Sequence, residues 1–328
     1  MIKKIRYCLP KSTDPYENLA IEYALMHAAG PDECIMSLWQ NRKTVVIGRN
    51  QNIFSECRIE ELQADSVTAA RRMSGGGAVY HDLGNLNFSF LAKDKNYDVD
   101  LQLSVIVTAL KKFNIDALKT GRNDITVGSR KISGNAFLRE GSARCHHGTL
   151  LINVKTDDMA RCLIPDKEKL SSKGVSSVRS RTVNLHDLNA NITAESMKNA
   201  LISAFSEVYG MKAELFPLDE LDSDQIKKQK EKLSSKEWIF GENPPFTFRS
   251  SRVRFNWGNA ELAFVSEHGK IKEAVLFTDS MDETISMKVA EKLSGLPCIK
   301  EDILNAVRVG NFSTEVADGL SRLICEVF

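Results

Sequence analysis

Two clusters in this chain carry the residue types that chemistry at a phosphate or a carboxylate requires. The first runs Arg71-Arg72-Met73-Ser74-Gly75-Gly76-Gly77-Ala78-Val79-Tyr80-His81-Asp82. Successive glycines let neighbouring backbone N–H groups turn together toward an anion, and here two arginines stand beside them. A glycine run alone is more often a flexible turn; the paired guanidiniums move the balance toward anion binding. Neither the GxxxxGK[ST] loop nor the Rossmann fingerprint is present, and the residues after the glycines read as a strand. A phosphate site here would therefore rest on a strand-to-strand turn, not on a helix N-terminus.

The second cluster combines Gly121-Arg122-Asn123-Asp124 with Arg130-Lys131-Ile132-Ser133-Gly134-Asn135-Ala136. A lysine on a short strand is ordinarily solvated and adds little to stability. Small or polar Ser133, Gly134 and Asn135 leave space in front of Lys131 where a ligand could sit. Asp124 could help hold a divalent cation, although a single carboxylate is more often a surface or turn residue. Further on, His146-His147-Gly148-Thr149 precedes an apolar strand, where a histidine is usually a hydrogen-bonded structural residue. Cys145 raises the idea of a thiol nucleophile with a histidine partner, against which adjacent strand residues point to opposite faces. His147 stays open as a functional residue.

These residues need elements to hold them. Asp14, Pro15 and Glu17 have capping-box spacing before a stripe of Tyr16, Leu19, Ala20 and Tyr23, which predicts a helix ended by Gly30-Pro31. Cys34 to Trp39 and Thr44 to Ile47 read as a strand pair, followed by a short helix over Ile59 to Ala64 and a strand over Val67 to Arg72. Ala78 to Tyr80 and Leu86 to Leu91 read as a hairpin turning at His81 to Gly84. A helix is expected over Leu101 to Phe113, capped by Asp100, then strands over Ile125 to Val127, Lys131 to Ala136 and Gly148 to Val154. Lys167 to Arg181, rich in serine and cations, reads as a mobile loop, and Gln225 to Lys236 as a helix.

Pro244-Pro245 marks a domain boundary. Beyond it Val253, Phe255 and Trp257 alternate with polar residues, and further strands follow at Leu262 to Phe264 and Ile271 to Phe277. Helices over Asp282 to Leu293 and Ser313 to Phe328 complete a small unit of three strands. The expectation is an α+β protein, with one domain over residues 1–242 and another over 249–328.

With 328 residues the chain has length for two domains, and its 44 basic against 43 acidic residues give no overall field to attract nucleic acid. No apolar stretch approaches the roughly 20 residues of a membrane span, and Met1 to Pro10 does not read as a secretory signal. Seven cysteines without a CxxC spacing indicate free thiols in a reducing compartment, hence the cytoplasm, and no zinc site.

At both clusters the chain resembles the lipoate-protein ligases, whose hallmark is an arginine pair running into SGGGAVxHDxGNxN, here Arg71 to Asn87. GRND at Gly121 to Asp124, KxSG at Lys131 to Gly134, HHGTLL at His146 to Leu151 and the loop Lys173 to Arg181 follow in the family's order. Met73 departs from the small or polar residue expected there. The resemblance implies a biotin/lipoate ligase-like catalytic domain of mixed sheets with helices, plus a small α+β accessory domain. It implies ATP binding by Arg72, Gly77, Ala78, Val79, Tyr80, Asn123, Asp124 and Lys131. Lipoate would lie against Arg72, Ser74, Gly75, Gly76, His81, Lys131 and His147, with Lys131 the catalytic cation. Lys173, Arg179 and Arg181 would belong to a loop covering the adenylate. The implied reaction is ATP-dependent activation of lipoate to lipoyl-AMP, with Mg2+, and transfer to a lysine. The implied acceptors are lipoyl domains of 2-oxoacid dehydrogenase E2 subunits and the glycine-cleavage H protein, and the implied state is a monomer. Three other readings remain open here: a transferase using Cys145 without ATP, a non-catalytic carrier, and an enzyme that takes only preformed lipoyl-nucleotide.

Overall fold

The computed structural model describes residues 2–120, 123–164, 182–241 and 246–327. Gly121-Arg122, residues 165–181, which include the segment Lys167 to Arg181 expected as a loop, and Pro244-Pro245 therefore lie outside the described residues. The chain forms two compact units: Met1–Val46, Cys57–Ala70 and Val79–Ser235 make the first, and Ile47–Glu56, Arg71–Ala78 and Lys236–Phe328 the second. This differs from a single cut after residue 242, because the glycine segment is hydrogen-bonded into the C-terminal unit. Trp238 Nε1 donates to the Arg71 carbonyl at 2.8 Å, and Gly76 N to the Ser280 carbonyl at 2.8 Å.

Strands of the first unit are β1 (Lys4–Cys8), β2 (Glu33–Trp39), β3 (Thr44–Ile47), β4 (Thr68–Arg71), β5 (Val79–His81) and β6 (Asn85–Lys93). Then come β7 (Leu118–Thr120), β8 (Asp124–Val127), β9 (Arg130–Glu140), β10 (Ala143–Leu151) and β11 (Glu214–Leu215). Its longer helices are α1 (Pro15–Ala28), α2 (Val99–Lys111), α3 (Ala194–Tyr209) and α4 (Ser223–Ser234). Eight strands form one sheet in the order β11-β1-β2-β6-β10-β9-β8-β7, while β4-β3-β5 form a separate sheet. The large sheet is mixed: β1 runs parallel to β2 and β11, and the pairings from β2 onward are antiparallel.

Every residue of β2 is buried, as a strand covered on both faces requires. On one face Met36, Leu38, Phe88 and Phe90 share a core with Val105 and Ile106 of α2 and Leu201 and Phe205 of α3. On the other face α1 sends Glu22 to Ser89 and His147. Alternation along the strands thus separates an apolar face from a polar one.

Several expected elements take different partners. Cys34 to Trp39 and Thr44 to Ile47 are both extended but enter different sheets. The expected hairpin at His81 to Gly84 is likewise split, with β5 pairing β3 and β6 lying between β2 and β10. Asp82 explains the redirection, since its carboxylate accepts from Gly84 N at 2.8 Å and Lys155 N at 3.0 Å. A Cβ on Gly84 would sit 2.0 Å from the Asn153 carbonyl, so glycine lets the turn close against residues 153–155. Helix α2 starts at Val99, because Asp98 and not Asp100 accepts from Leu101 N at 2.9 Å. Glu17 pairs with Lys230 instead of completing a capping box.

The second unit contains β12 (Phe248–Arg249), β13 (Val253–Phe255), β14 (Gly258–Glu267) and β15 (Lys270–Thr278), so its sheet has four strands and not the three expected. Helices α5 (Ile285–Leu293), α6 (Lys300–Arg308) and α7 (Thr314–Val327) share a core with Leu262, Phe264 and Leu276. Among the described residues no helix is long and apolar enough to cross a membrane.

Candidate functional site

In the second unit the two arginines are buried, and backbone carbonyls take their N–H groups. Arg71 Nη1 donates to the carbonyls of Gln51 at 2.6 Å, Arg49 at 2.8 Å and Gly48 at 3.2 Å. Its Nη2 donates to Ile239 O at 2.7 Å and its Nε to Trp238 O at 2.8 Å. Arg72 closes a smaller ring, from Nε to Ser74 Oγ at 3.0 Å and from Nη2 to the carbonyls of Gly75 at 2.7 Å and Gly77 at 2.8 Å. Gly76 adopts φ +88°, which favours glycine, and a Cβ on Gly75 would lie 2.4 Å from Ser280 O. The glycines thus serve close backbone approach, and Gly76 N–H is given to a carbonyl in this state.

In the first unit Val79, Tyr80 and His81 lie on β5, an edge strand of its sheet. Tyr80 is buried, and burial pushes its phenol well above the usual range. As the end strand of its sheet, β5 pairs with β3 on one side only. His81 Nδ1 lies 3.2 Å from Asn41 Nδ2, and its ring meets Trp39 edge-on at 6.3 Å. Trp39 Nε1 donates to Ser89 Oγ at 3.1 Å, and Ser89 Oγ donates to Glu22 Oε1 at 2.5 Å. Glu22 in turn holds His147 Nδ1 at 2.9 and 3.0 Å from its two oxygens. His81 and His147 are thereby joined to one buried polar chain through Trp39, Ser89 and Glu22.

Sequence reasoning missed Glu22, Trp39, Asn41 and Ser89. The available signal was Asn18 with Glu22, two polar residues one turn apart on a helix that is otherwise apolar on that side. Cys145 completes a buried group with Glu22 and His147 whose ligand atoms lie within 4.8 Å of one another. Burial, reinforced by Glu22, pushes the Cys145 thiol well above its ordinary value, which keeps it protonated and a poor nucleophile.

Lys131 is not the solvated strand lysine of the sequence reading. Its Nζ lies 2.8 Å from Asp124 Oδ1, with the two side chains 22% and 5% exposed. Burial of the carboxylate is what makes the pairing consequential. A Cβ on Gly134 would come 2.7 Å from Lys131 Nζ, so glycine gives the ammonium its place. Asn123 is tied to Asn135 from both sides: its Nδ2 donates to Asn135 O at 2.9 Å, and its carbonyl accepts from Asn135 N at 2.8 Å. Residues 182–183 brace the strand, with Val183 N donating to Lys131 O at 3.0 Å. Asn123, Asp124 and Lys131 are therefore brought together, while Lys173, Arg179 and Arg181 fall outside the described residues. For Mg2+, Asp124 supplies one carboxylate and is not part of the three-residue metal-capable group found among the described residues. It fits such an ion only as a minor contact beside phosphate and water oxygens.

A mixed α+β sheet thus carries a partly buried ammonium and a separate buried polar chain, and a second α+β unit follows it in the chain. The family model described as the lipoyl protein ligase A/B catalytic domain matches residues 14–206, and that of the bacterial lipoate protein ligase C-terminus matches residues 243–322. A lipoate-protein ligase A from Psychrobacter cryohalolentis is 40% identical over 308 residues, covering 92% of this chain and 91% of that one. The crystal structure of P. falciparum LipL1 in complex with lipoate is 31% identical, with a TM-score of 0.85 over 98% of this chain and 99% of that one. A lipoate-protein ligase A bound with ATP is 25% identical, with a TM-score of 0.62 over 74% of this chain and 99% of that one. The chain belongs to the lipoate-protein ligase family and is an enzyme of that class, and the α+β architecture expected from its sequence is the one observed.

Proposed function

We propose that this chain activates free lipoate with ATP to lipoyl-AMP, releases pyrophosphate, and transfers the lipoyl group to a lysine of a lipoyl domain. The observation that carries this reading is the Lys131 ammonium, held by buried Asp124 beside the space that Gly134 leaves. A carboxylate is a poor acyl donor to an amine. An ammonium placed between it and the α-phosphate neutralises charge as the two join, and a preorganised cation needs no rearrangement at that moment. Asp124 holds the Lys131 ammonium aimed until a substrate anion competes for it. Lipoate bound to one similar protein and ATP bound to another support both substrates.

In this reading Arg72, Gly77, Ala78, Val79, Tyr80, Asn123, Asp124 and Lys131 serve ATP. Ser74, Gly75, Gly76, His81 and His147, together with Arg72 and Lys131, serve lipoate. Mg2+ would neutralise the pyrophosphate oxygens. Residues 1–242 act as the catalytic part and 249–328 as the accessory part, with Lys173, Arg179 and Arg181 in the loop that covers the adenylate. The acceptors are lipoyl domains of 2-oxoacid dehydrogenase E2 subunits and the glycine-cleavage H protein, the working state a cytoplasmic monomer. The transferase reading loses support because its nucleophile would be Cys145, a buried, protonated thiol. Lipoate-dependent exchange of pyrophosphate into ATP tests the proposal: a ligase exchanges, and still does so with Cys145→Ser, whereas a transferase or carrier does not exchange.

A further inference from the structure

His146 sits beside His147 on β10 but faces the opposite way, and it has no exposed surface. Its ring lies among those of Phe88, Phe90 and Phe137, with centroids 5.7, 5.9 and 5.0 Å away. A phenylalanine would suit that box at lower desolvation cost, so the imidazole must be held by polar contacts. Its Nε2 lies 2.9 Å from Asn135 Oδ1, and its Nδ1 lies 2.9 Å from Oε1 of Gln102 on α2.

The hydrogens can be assigned from these neighbours. Burial pushes the His146 pKa down to about 3, so the ring is neutral and has one N–H to give. Asn135 Nδ2 donates to the Asn123 carbonyl at 3.1 Å, which leaves Asn135 Oδ1 toward the imidazole. His146 therefore donates from Nε2 and accepts at Nδ1. An accepting Nδ1 requires the Gln102 amide to be exchanged end for end, placing its NH2 where Oε1 now lies, and this gives a partner to the buried Nε2 that otherwise has none.

We propose that His146 is a positioning residue for the activation step, holding Asn123 and Asp124 in place for Lys131 through Asn135. The chain of contacts is continuous. Gln102 orients His146, His146 fixes the Asn135 amide, and Asn135 grips Asn123 by three hydrogen bonds of 2.8, 2.9 and 3.1 Å. The next residue along is Asp124, whose carboxylate sets the Lys131 ammonium at 2.8 Å. His146 touches none of the reacting groups in this account, which rests on the adenylating function proposed above. Misplacing a catalytic group by about an ångström can cost on the order of a hundredfold in rate, so a buried side chain three contacts away can govern the step.

The full-length protein is assayed in two half-reactions, lipoate-dependent pyrophosphate exchange and transfer from supplied lipoyl-AMP to a lipoyl domain, with thermal melts alongside. His146→Leu should lower the kcat of exchange by about ten- to a hundredfold while transfer changes by less than about threefold. His146→Gln, which can still donate to Asn135, should recover most of the exchange. Nitrogen-15 NMR of the wild-type imidazole should show the proton on Nε2. If His146→Leu does not fold, Gln102→Met loosens the same ring from α2 and should give the same split at smaller size. Exchange kinetics left intact in the variants would overturn the proposal. So would equal loss of both half-reactions, tracking the melt and not recovered by glutamine. A wild-type protein without exchange removes the adenylating function and this relay together, whereas normal wild-type exchange with insensitive variants removes the relay alone.

Discussion

Arg71 and Lys131 are both cations largely withdrawn from water, one in each unit, and their partners differ in kind. Arg71 gives its N–H groups to carbonyls of residues 48, 49, 51, 238 and 239. Carbonyl dipoles carry no net charge and cannot leave, and the planar five-donor guanidinium suits such a cage. Lys131 instead faces the carboxylate of Asp124. That partner neutralises the charge, and another anion can replace it. The contrast teaches that a buried arginine beside a glycine run is a fastener here, and that the cation suited to chemistry is the one paired with an acid.

The largest effect should come from removing the ammonium. Lys131→Met is expected to lower pyrophosphate exchange by about 10²- to 10³-fold, as for loss of one preorganised electrostatic contact. Stability should fall as well, because the variant leaves the Asp124 carboxylate buried without its cation. Adding Asp124→Asn should restore the melting temperature and leave exchange defective. If the double variant regained exchange, Lys131 would be a structural cation like Arg71. Arg71→Met should show the reverse pattern: a loss of about 2–4 kcal/mol in a denaturant titration, from carbonyls left without donors, with exchange per folded molecule reduced far less than by Lys131→Met. Gly134→Ala comes third. Its methyl would meet Lys131 Nζ at 2.7 Å, so the flexible ammonium must shift, and exchange should drop by about tenfold with little change in melting. An unchanged rate would mean that the position of Nζ does not matter.

The sequence made the motifs and most element positions legible, because glycine runs, caps and alternation are local signals. Pairing was harder to read. The strands at 34–39 and 44–47 look like a hairpin by spacing, and only the joint demands of β6 and β1 on one side, and β4 and β5 on the other, send them to different sheets. Lys131 could be singled out from its small neighbours, but its burial could not, since that depends on Asp124 arriving across a strand pair with a register shift. Glu22 was missed for a related reason. A glutamate on a helix reads as solvent-facing until the far side of the helix proves to be covered by a sheet carrying Ser89 and His147.

Arg130→Met should have the smallest effect, and it sharpens the comparison because it changes the same charge one residue away from Lys131. Arg130 is exposed at the start of β9, where it pairs with Val127, while the next residue turns toward Asp124. Side chains alternate along a strand, so the guanidinium and the ammonium leave on opposite sides. If catalysis depends on a cation held at one place, deleting Arg130 should change exchange by less than about twofold and stability by less than about 0.5 kcal/mol, the usual range for a surface position. If instead the cluster acts through its summed field, both substitutions remove one unit of charge and should be similarly harmful, with the defect growing as salt is lowered. Exchange rates of the two variants at low and high ionic strength separate these cases. A crippled Arg130→Met enzyme that worsens at low salt would show that the cluster acts by its charge, not by the placement of Lys131.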